Sequence, residues 1–143
     1  AEAFGATDFL DTSDVDDLVA AVKDLGLPNG VDHAFECVGH PSLIRNAIDM
    51  LDWGGTCTML GVPKLGSEAS FVVAQMYNDK SILGCRYGST RPHHDIPMIV
   101  QLYLDGKFQL DEMVSRNYDA GDIATAMDDL HAGELNRGVL DFV

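Results

Sequence analysis

A parallel α/β fold is the class this sequence predicts, and three observations predict it. Two short apolar runs, His33-Ala34-Phe35-Glu36-Cys37-Val38-Gly39 and Thr56-Cys57-Thr58-Met59-Leu60-Gly61-Val62, each carry a glycine where a strand would end. A segment with helical apolar spacing lies between them, and another precedes the first. Strand, helix and strand in such lengths argue for right-handed parallel crossovers. A glycine at the carboxyl end of a parallel strand lets a ligand approach the backbone, and open parallel sheets bind ligands along that edge.

In chain order, residues 6–10 are a short strand candidate, and Thr12 or Ser13 then offers an N-cap to an amphipathic helix with Val15, Leu18, Val19, Val22 and Leu25 on one stripe. Gly26 ends it, and Pro28-Asn29-Gly30 turns the chain into a strand over residues 31–38 whose near-continuous apolar run suits burial on both faces. His40-Pro41-Ser42 starts a second helix with Leu43, Ile44, Ala47, Ile48 and Leu51 at helical spacing, and Trp53-Gly54-Gly55 breaks it before a strand over residues 56–62. A helical turn at residues 72–77, a strand at 81–87 and a helix at 95–104 follow, the last stopped by Asp105-Gly106-Lys107. The chain then predicts an extended stretch at 113–118, a helix ending at Ala132-Gly133, and a terminal strand over 137–142.

The two glycine-closed strands read as the second half of a dinucleotide-binding sheet whose first half is missing. No Gly-x-Gly-x-x-Gly stands upstream of them: the chain opens at Ala1 and runs into Phe4-Gly5-Ala6-Thr7-Asp8. A piece of a larger enzyme is the expectation.

At 143 residues and 46% hydrophobic composition, the chain has room for one ordinary core. A net charge of -14, with nine Lys and Arg against 23 Asp and Glu, excludes nucleic acid as the expected partner, because phosphate binding needs basic clusters. Cys37, Cys57 and Cys85 are widely spaced and odd in number, which predicts buried thiols in a reducing, cytoplasmic setting rather than disulfides or a zinc clip. No apolar run reaches the roughly 20 residues of a membrane span, so no membrane partner is expected.

Seven motifs, in order, carry a resemblance: Phe4-Gly5-Ala6-Thr7-Asp8; Gly30-Val31-Asp32-His33-Ala34-Phe35-Glu36-Cys37-Val38-Gly39; Leu60-Gly61-Val62-Pro63; Gly84-Cys85-Arg86-Tyr87-Gly88; Asp95-Ile96-Pro97; Asp111-Glu112-Met113-Val114; and Gly133-Glu134-Leu135-Asn136-Arg137-Gly138. Over essentially its whole length the chain resembles the C-terminal part of the medium-chain, zinc-dependent alcohol dehydrogenases, nearest the bacterial formaldehyde and nicotinoprotein branch. The resemblance implies a partial Rossmann-type, doubly wound parallel sheet of order 3-2-1-4-5-6 that lacks its first two strands, this chain carrying the third to sixth. Residues 1–105 would be a partial dinucleotide-binding domain, and 106–143 a return segment toward a catalytic domain. It also implies hydride transfer between an alcohol or aldehyde and NAD or NADP, with zinc in the full-length parent only and no zinc ligand in this chain.

Position by position, the resemblance assigns Leu60, Gly61, Val62, Cys85 and Tyr87 to the nicotinamide carboxamide through backbone groups. Val38 and His40 flank the adenine pocket, although many relatives have Arg or Asn where His40 stands. Arg137 matches the arginine that reaches the cofactor pyrophosphate, where a guanidinium forms forked, charge-assisted bonds. Residues 69–84 match a segment that pairs two subunits, so a homo-oligomer is expected.

Other clusters carry less. His93-His94-Asp95 offers metal-ligand types, but adjacent residues project differently and a solvated loop or helix cap is the simpler role. Asp32 and Glu36 share a strand face, yet Asp32 stands far from the ligand edge, so both are expected to be structural. Cys37 and Cys57 lack a partner base at any recognisable position. Two alternatives to the zinc enzyme remain open: a zinc-free quinone or enoyl reductase relative, and a self-association module without catalysis.

Overall fold

Three parallel strands, β1 (Val31–Glu36), β2 (Leu51–Met59) and β3 (Ser81–Gly84), form a sheet in chain order β1-β2-β3. The structure is a computed structural model describing residues 1–142, and its backbone divides into two units, Ala1–Thr90 and Arg91–Val143. In the first unit α1 (Leu18–Asp24) precedes β1, and α2 (Pro41–Asp49) connects β1 to β2. The α/β parallel class predicted from the glycine-closed runs is the class observed.

Register explains where the core sits. Ala34, Cys57 and Ile82 are aligned across the three strands, and α2 lays Ile44, Ala47 and Ile48 over that face, with Leu51 completing the buried cluster. Val31, Met50, Met59 and Ile82 pack around it. The next register row, Phe35, Thr58 and Leu83, points to the opposite face, where Phe35 and Leu83 stay exposed. Cys57 lies fully inside, and burial, with the nearby Glu36 charge, pushes its thiol above the usual range. A nucleophile needs the thiolate, so Cys57 is a core residue.

Several local expectations are corrected. Residues 6–10 form no strand, because an isolated extended segment needs a ladder partner and none of the described residues pairs with it. The sheet therefore has three strands where four were expected. Neither Thr12 nor Ser13 caps α1: Asp11 captures the Ser13 amide at 3.0 Å in a short 3-10 turn, and Asp17 caps α1 by accepting from the Ala20 amide at 3.0 Å. Leu51 belongs not to the helix but to β2, paired with Val31; Trp53-Gly54-Gly55 then loops out before Thr56 resumes pairing opposite His33. The excursion explains why these residues read as a break. Strand pairing also stops short of the predicted ends, at Met59 and Gly84 rather than residues 62 and 87.

The second unit opens with α3 (Pro92–Leu104), earlier than the predicted start at residue 95. Asp95 reaches back to the Arg91 amide at 2.7 Å and pairs with His94 and the Arg91 guanidinium. The Arg91 amide, with the His94 and Arg91 side chains, holds the Asp95 carboxyl below its ordinary value. The His93-His94-Asp95 cluster thus organises a helix start. Downstream, β4 (Arg116–Asp119) and β5 (Gly138–Asp141) pair in parallel on either side of α4 (Ile123–His131). Tyr118, buried on β4, donates its hydroxyl to Asp129 of α4 at 2.7 Å, and Arg116 pairs with the same carboxylate.

One buried cation in the first unit yields a pH prediction. Lys80 is 9% exposed and its ammonium donates to the Ile48 carbonyl at 3.3 Å, near the C-terminal end of α2. Burial lowers its pKa from the usual 10.5, Lys23 adding to the effect while Asp49 and Asp52 oppose it. Between the lowered value and 10.5 the unfolded chain holds a proton that the folded chain has released, so this lysine's contribution to stability rises with pH. Cys57, whose raised pKa works in the opposite sense, is common to both proteins when wild type is compared with Lys80→Met. Urea titrations should show wild type gaining on the variant as pH climbs toward 10.5. A flat or falling difference would contradict the assignment.

Candidate functional site

At the carboxyl ends of β1 and β2 the chain makes two turns that touch each other through glycines. Gly39 has φ +83°, and a side chain there would meet Val62 C at 2.6 Å and Pro63 N at 2.7 Å. At Gly61 an added Cβ would fall 2.5 Å from Val38 C and 2.6 Å from Val38 N, and closer still to Gly39 N. Only glycine at both positions permits this approach. The backbone around each strand end is thereby brought level at the same edge of the sheet.

Glu36 ties that edge together. Its carboxylate accepts from the Val38 amide at 2.9 Å and the Gly39 amide at 2.8 Å. Its carbonyl accepts from the Leu60 amide at 2.8 Å and the Gly61 amide at 2.9 Å. Asp32, on the same strand, is exposed, so the two acids do not form a pair. The structural role expected for Glu36 is supported by four hydrogen bonds from backbone amides.

Beside this edge, Leu60, Val62, Cys85, Arg86 and Tyr87 line a cavity of about 580 Å³, within the size range of small-molecule sites. Four of the residues singled out from the sequence, Leu60, Val62, Cys85 and Tyr87, therefore meet around one space, and Gly61 lies between two of them in the chain. Val62 and Tyr87 are each 89% exposed, which leaves apolar surface facing outward. The backbone at Tyr87, Gly88 and Ser89 has φ of +50°, +68° and +51°, a left-handed conformation that non-glycine residues seldom adopt. The amides of Leu60 and Gly61 are spent on Glu36, and that of Cys85 on the Met59 carbonyl at 3.2 Å. The Val62 amide has no backbone partner among the described residues.

Val38 is exposed at the rim of a second concavity of about 290 Å³, which Leu18, Ala34, Glu36 and Leu43 also line. His40 is the N-cap of α2: its Nδ1 accepts from the Ser42 amide at 3.3 Å and lies 2.8 Å from the Ser42 hydroxyl. Arg137 belongs to the second unit, just before β5. Its carbonyl accepts from the Ser115 amide at 2.8 Å, and it borders an apolar groove of about 310 Å³ with Ile123, Met127, Leu130 and Leu140.

Sequence reasoning missed Arg86 as a lining residue and Gly39 as the partner of Gly61. The glycine was visible as a strand end, but its contact with residues 62 and 63 is a long-range fact. The described residues contain no group of three or more His, Cys, Asp or Glu side chains that could hold a metal ion. No helix among them is long and apolar enough to cross a membrane.

Comparison with known proteins joins this geometry to a family. The family described as zinc-binding dehydrogenase matches residues 1–105. A probable S-(hydroxymethyl)glutathione dehydrogenase 1 of Schizosaccharomyces pombe is 33% identical over 99% of this chain and 37% of its own length. Benzyl alcohol dehydrogenase from Acinetobacter calcoaceticus superposes with a TM-score of 0.90 at 32% identity, over 99% of this chain and 39% of that one. A zinc-binding dehydrogenase structure from Sinorhizobium meliloti, bound to NADP, matches with a TM-score of 0.75 at 26% identity, over 88% of this chain and 36% of that one. The 143 residues thus span under two fifths of the length of these relatives. With a Rossmann-type half sheet, a family match over most of its length and relatives a third identical from end to end, the chain belongs to the zinc-binding dehydrogenases, in the company of the alcohol dehydrogenases.

Proposed function

We propose that this chain forms the nicotinamide side of the cofactor domain of an oxidoreductase that moves hydride between an alcohol or aldehyde and NAD or NADP. The observation that carries this reading is the glycine-to-glycine edge at residues 39 and 61, opening beside the cavity lined by Leu60, Val62, Cys85 and Tyr87. An exposed apolar floor with free backbone groups at its rim suits a flat, amide-bearing ring. The Val62 amide and the carbonyls of residues 60–62 would hold the carboxamide, since the neighbouring amides are already engaged. Val38 would pack on the adenine, with His40 near its rim, and Arg137 would pair with the pyrophosphate. When bound, the cofactor supplies the hydride-accepting carbon; the chain's part is to orient the ring so that one face meets the substrate.

Residues 1–105 would act as the partial cofactor domain, and 106–143 as the segment returning toward a catalytic domain in a longer, cytoplasmic protein. The zinc ligands and the substrate-binding groups belong, on this reading, to sequence outside these 143 residues. Self-association is a second reading, favoured by β3: it ends the sheet order with one side unpaired among the described residues, and Val72, Val73 and Leu83 nearby are exposed. The homo-oligomer would then form through residues 69–84.

Calorimetric titration with NADH tests the cofactor reading. A saturable isotherm is expected, and Arg137→Ala should weaken it by about tenfold or more, the loss of one charge-assisted pair of roughly 1.5 to 3 kcal/mol. Unchanged affinity in the variant would remove Arg137 from the site.

A further inference from the structure

β1 carries two acids, and the sheet treats them differently: Asp32 is exposed, whereas Glu36 is 4% exposed. A carboxylate taken out of water is costly unless hydrogen bonds replace its hydration. Here the donors are backbone amides of the turn that directly follows the strand, Val38 at 2.9 Å and Gly39 at 2.8 and 3.0 Å to the two carboxylate oxygens. Successive N–H groups leading into a left-handed residue form a concavity suited to an anion, and Gly39 has φ +83°. The side chain of Glu36 is that anion, supplied by the chain itself. Its carbonyl meanwhile holds the Leu60 and Gly61 amides at 2.8 and 2.9 Å. One buried residue thus receives four amides from both strand ends, and the turn at 38–39 has no amide left to offer a ligand's phosphate.

We propose that Glu36 is a positioning residue of the cofactor edge: its side chain fills the amide concavity at 38–39 and so sets the turn against which Gly61 is packed before a nicotinamide dinucleotide arrives. The proposal rests on the cofactor reading given above. Its consequence is an edge that presents carbonyls and apolar side chains, suited to the flat rings of the cofactor and not to its diphosphate.

Glu36→Gln and Glu36→Asp test it in the 143-residue chain. Glutamine keeps the shape but not the charge and offers one accepting oxygen; aspartate keeps the charge but withdraws it by one methylene. Amide exchange at Val38 and Gly39 should accelerate by about tenfold in both, and the NADH dissociation constant should rise by a similar factor. Exchange inside β1 and β2, at Ala34 and Cys57, should stay as in wild type. A merely structural role would speed exchange across the whole sheet or leave both variants unfolded, and either result overturns the proposal. Unchanged exchange at 38–39, or NADH affinity within about twofold of wild type, overturns it too. Wild-type chain that binds no NADH removes the cofactor reading itself, whereas wild-type binding matched by the variants removes only the role of Glu36.

Discussion

Gly61→Ala is expected to destabilise the first unit by about 3 kcal/mol or more, at the upper end of what overpacking costs. The added methyl would meet main-chain atoms, Val38 C at 2.5 Å, Val38 N at 2.6 Å and the Gly39 nitrogen nearer still, not the movable tip of a side chain. Relief would need the two turns to separate. Separation would break the bonds from the Leu60 and Gly61 amides to the Glu36 carbonyl and expose the bonds that the 38–39 turn makes to the Glu36 carboxylate. Urea denaturation monitored by circular dichroism measures the effect as a lowered midpoint at unchanged slope. A loss below about 1 kcal/mol would mean that the strand ends lie farther apart than described.

Ile48→Ala should cost a similar amount, within the roughly 2 to 5 kcal/mol range of large-to-small core changes. Ile48 is 2% exposed and sits on α2 over the row formed by Ala34 and Cys57. The cluster is small: six residues form its buried heart, two of them alanines, so few neighbours can move to fill the space left. Because α2 packs on both β1 and β2, the loss falls on the contact that holds the two strands in place beneath it. The same denaturation experiment measures it, and a shift under about 1 kcal/mol would place the core elsewhere.

The apolar runs at residues 31–36 and 56–59 were legible as strands because apolar composition and glycine stops are local signals, but the burial on both faces expected of the first is not found: its burial alternates, with Ala34 inside and Phe35 exposed. Where pairing ends was not legible. Residues 60–62 and 85–87 keep strand-like composition, yet they leave the ladder to shape the cavity rim, and the bonds that draw Leu60 and Gly61 toward Glu36 come from another strand. Residues 6–10 show the converse: extended propensity is local, but a strand exists only with a neighbour. Capping of α1 was ambiguous because Asp11, Thr12, Ser13 and Asp17 all offer side-chain oxygens, and only the engagement of Ser13 by Asp11 decides among them. At the site, Leu60, Val62, Cys85 and Tyr87 came from resemblance and meet around one cavity, whereas the left-handed backbone at Tyr87 and the amide concavity around Glu36 depend on dihedral angles that no residue type announces. Arg137 has no local signal beyond its motif.

The central claim is that the edge at residues 60–62 and 85–87 receives the nicotinamide. Amide chemical shifts of the chain, followed during titration with NADH, test it most directly. Saturable shifts concentrated at Leu60, Gly61, Val62, Cys85 and Tyr87 are the predicted result. A dispersed spectrum in which these amides stay fixed while NADH saturates, or in which no amide moves at all, would contradict the claim and leave the association surface around β3 as the better account of this chain.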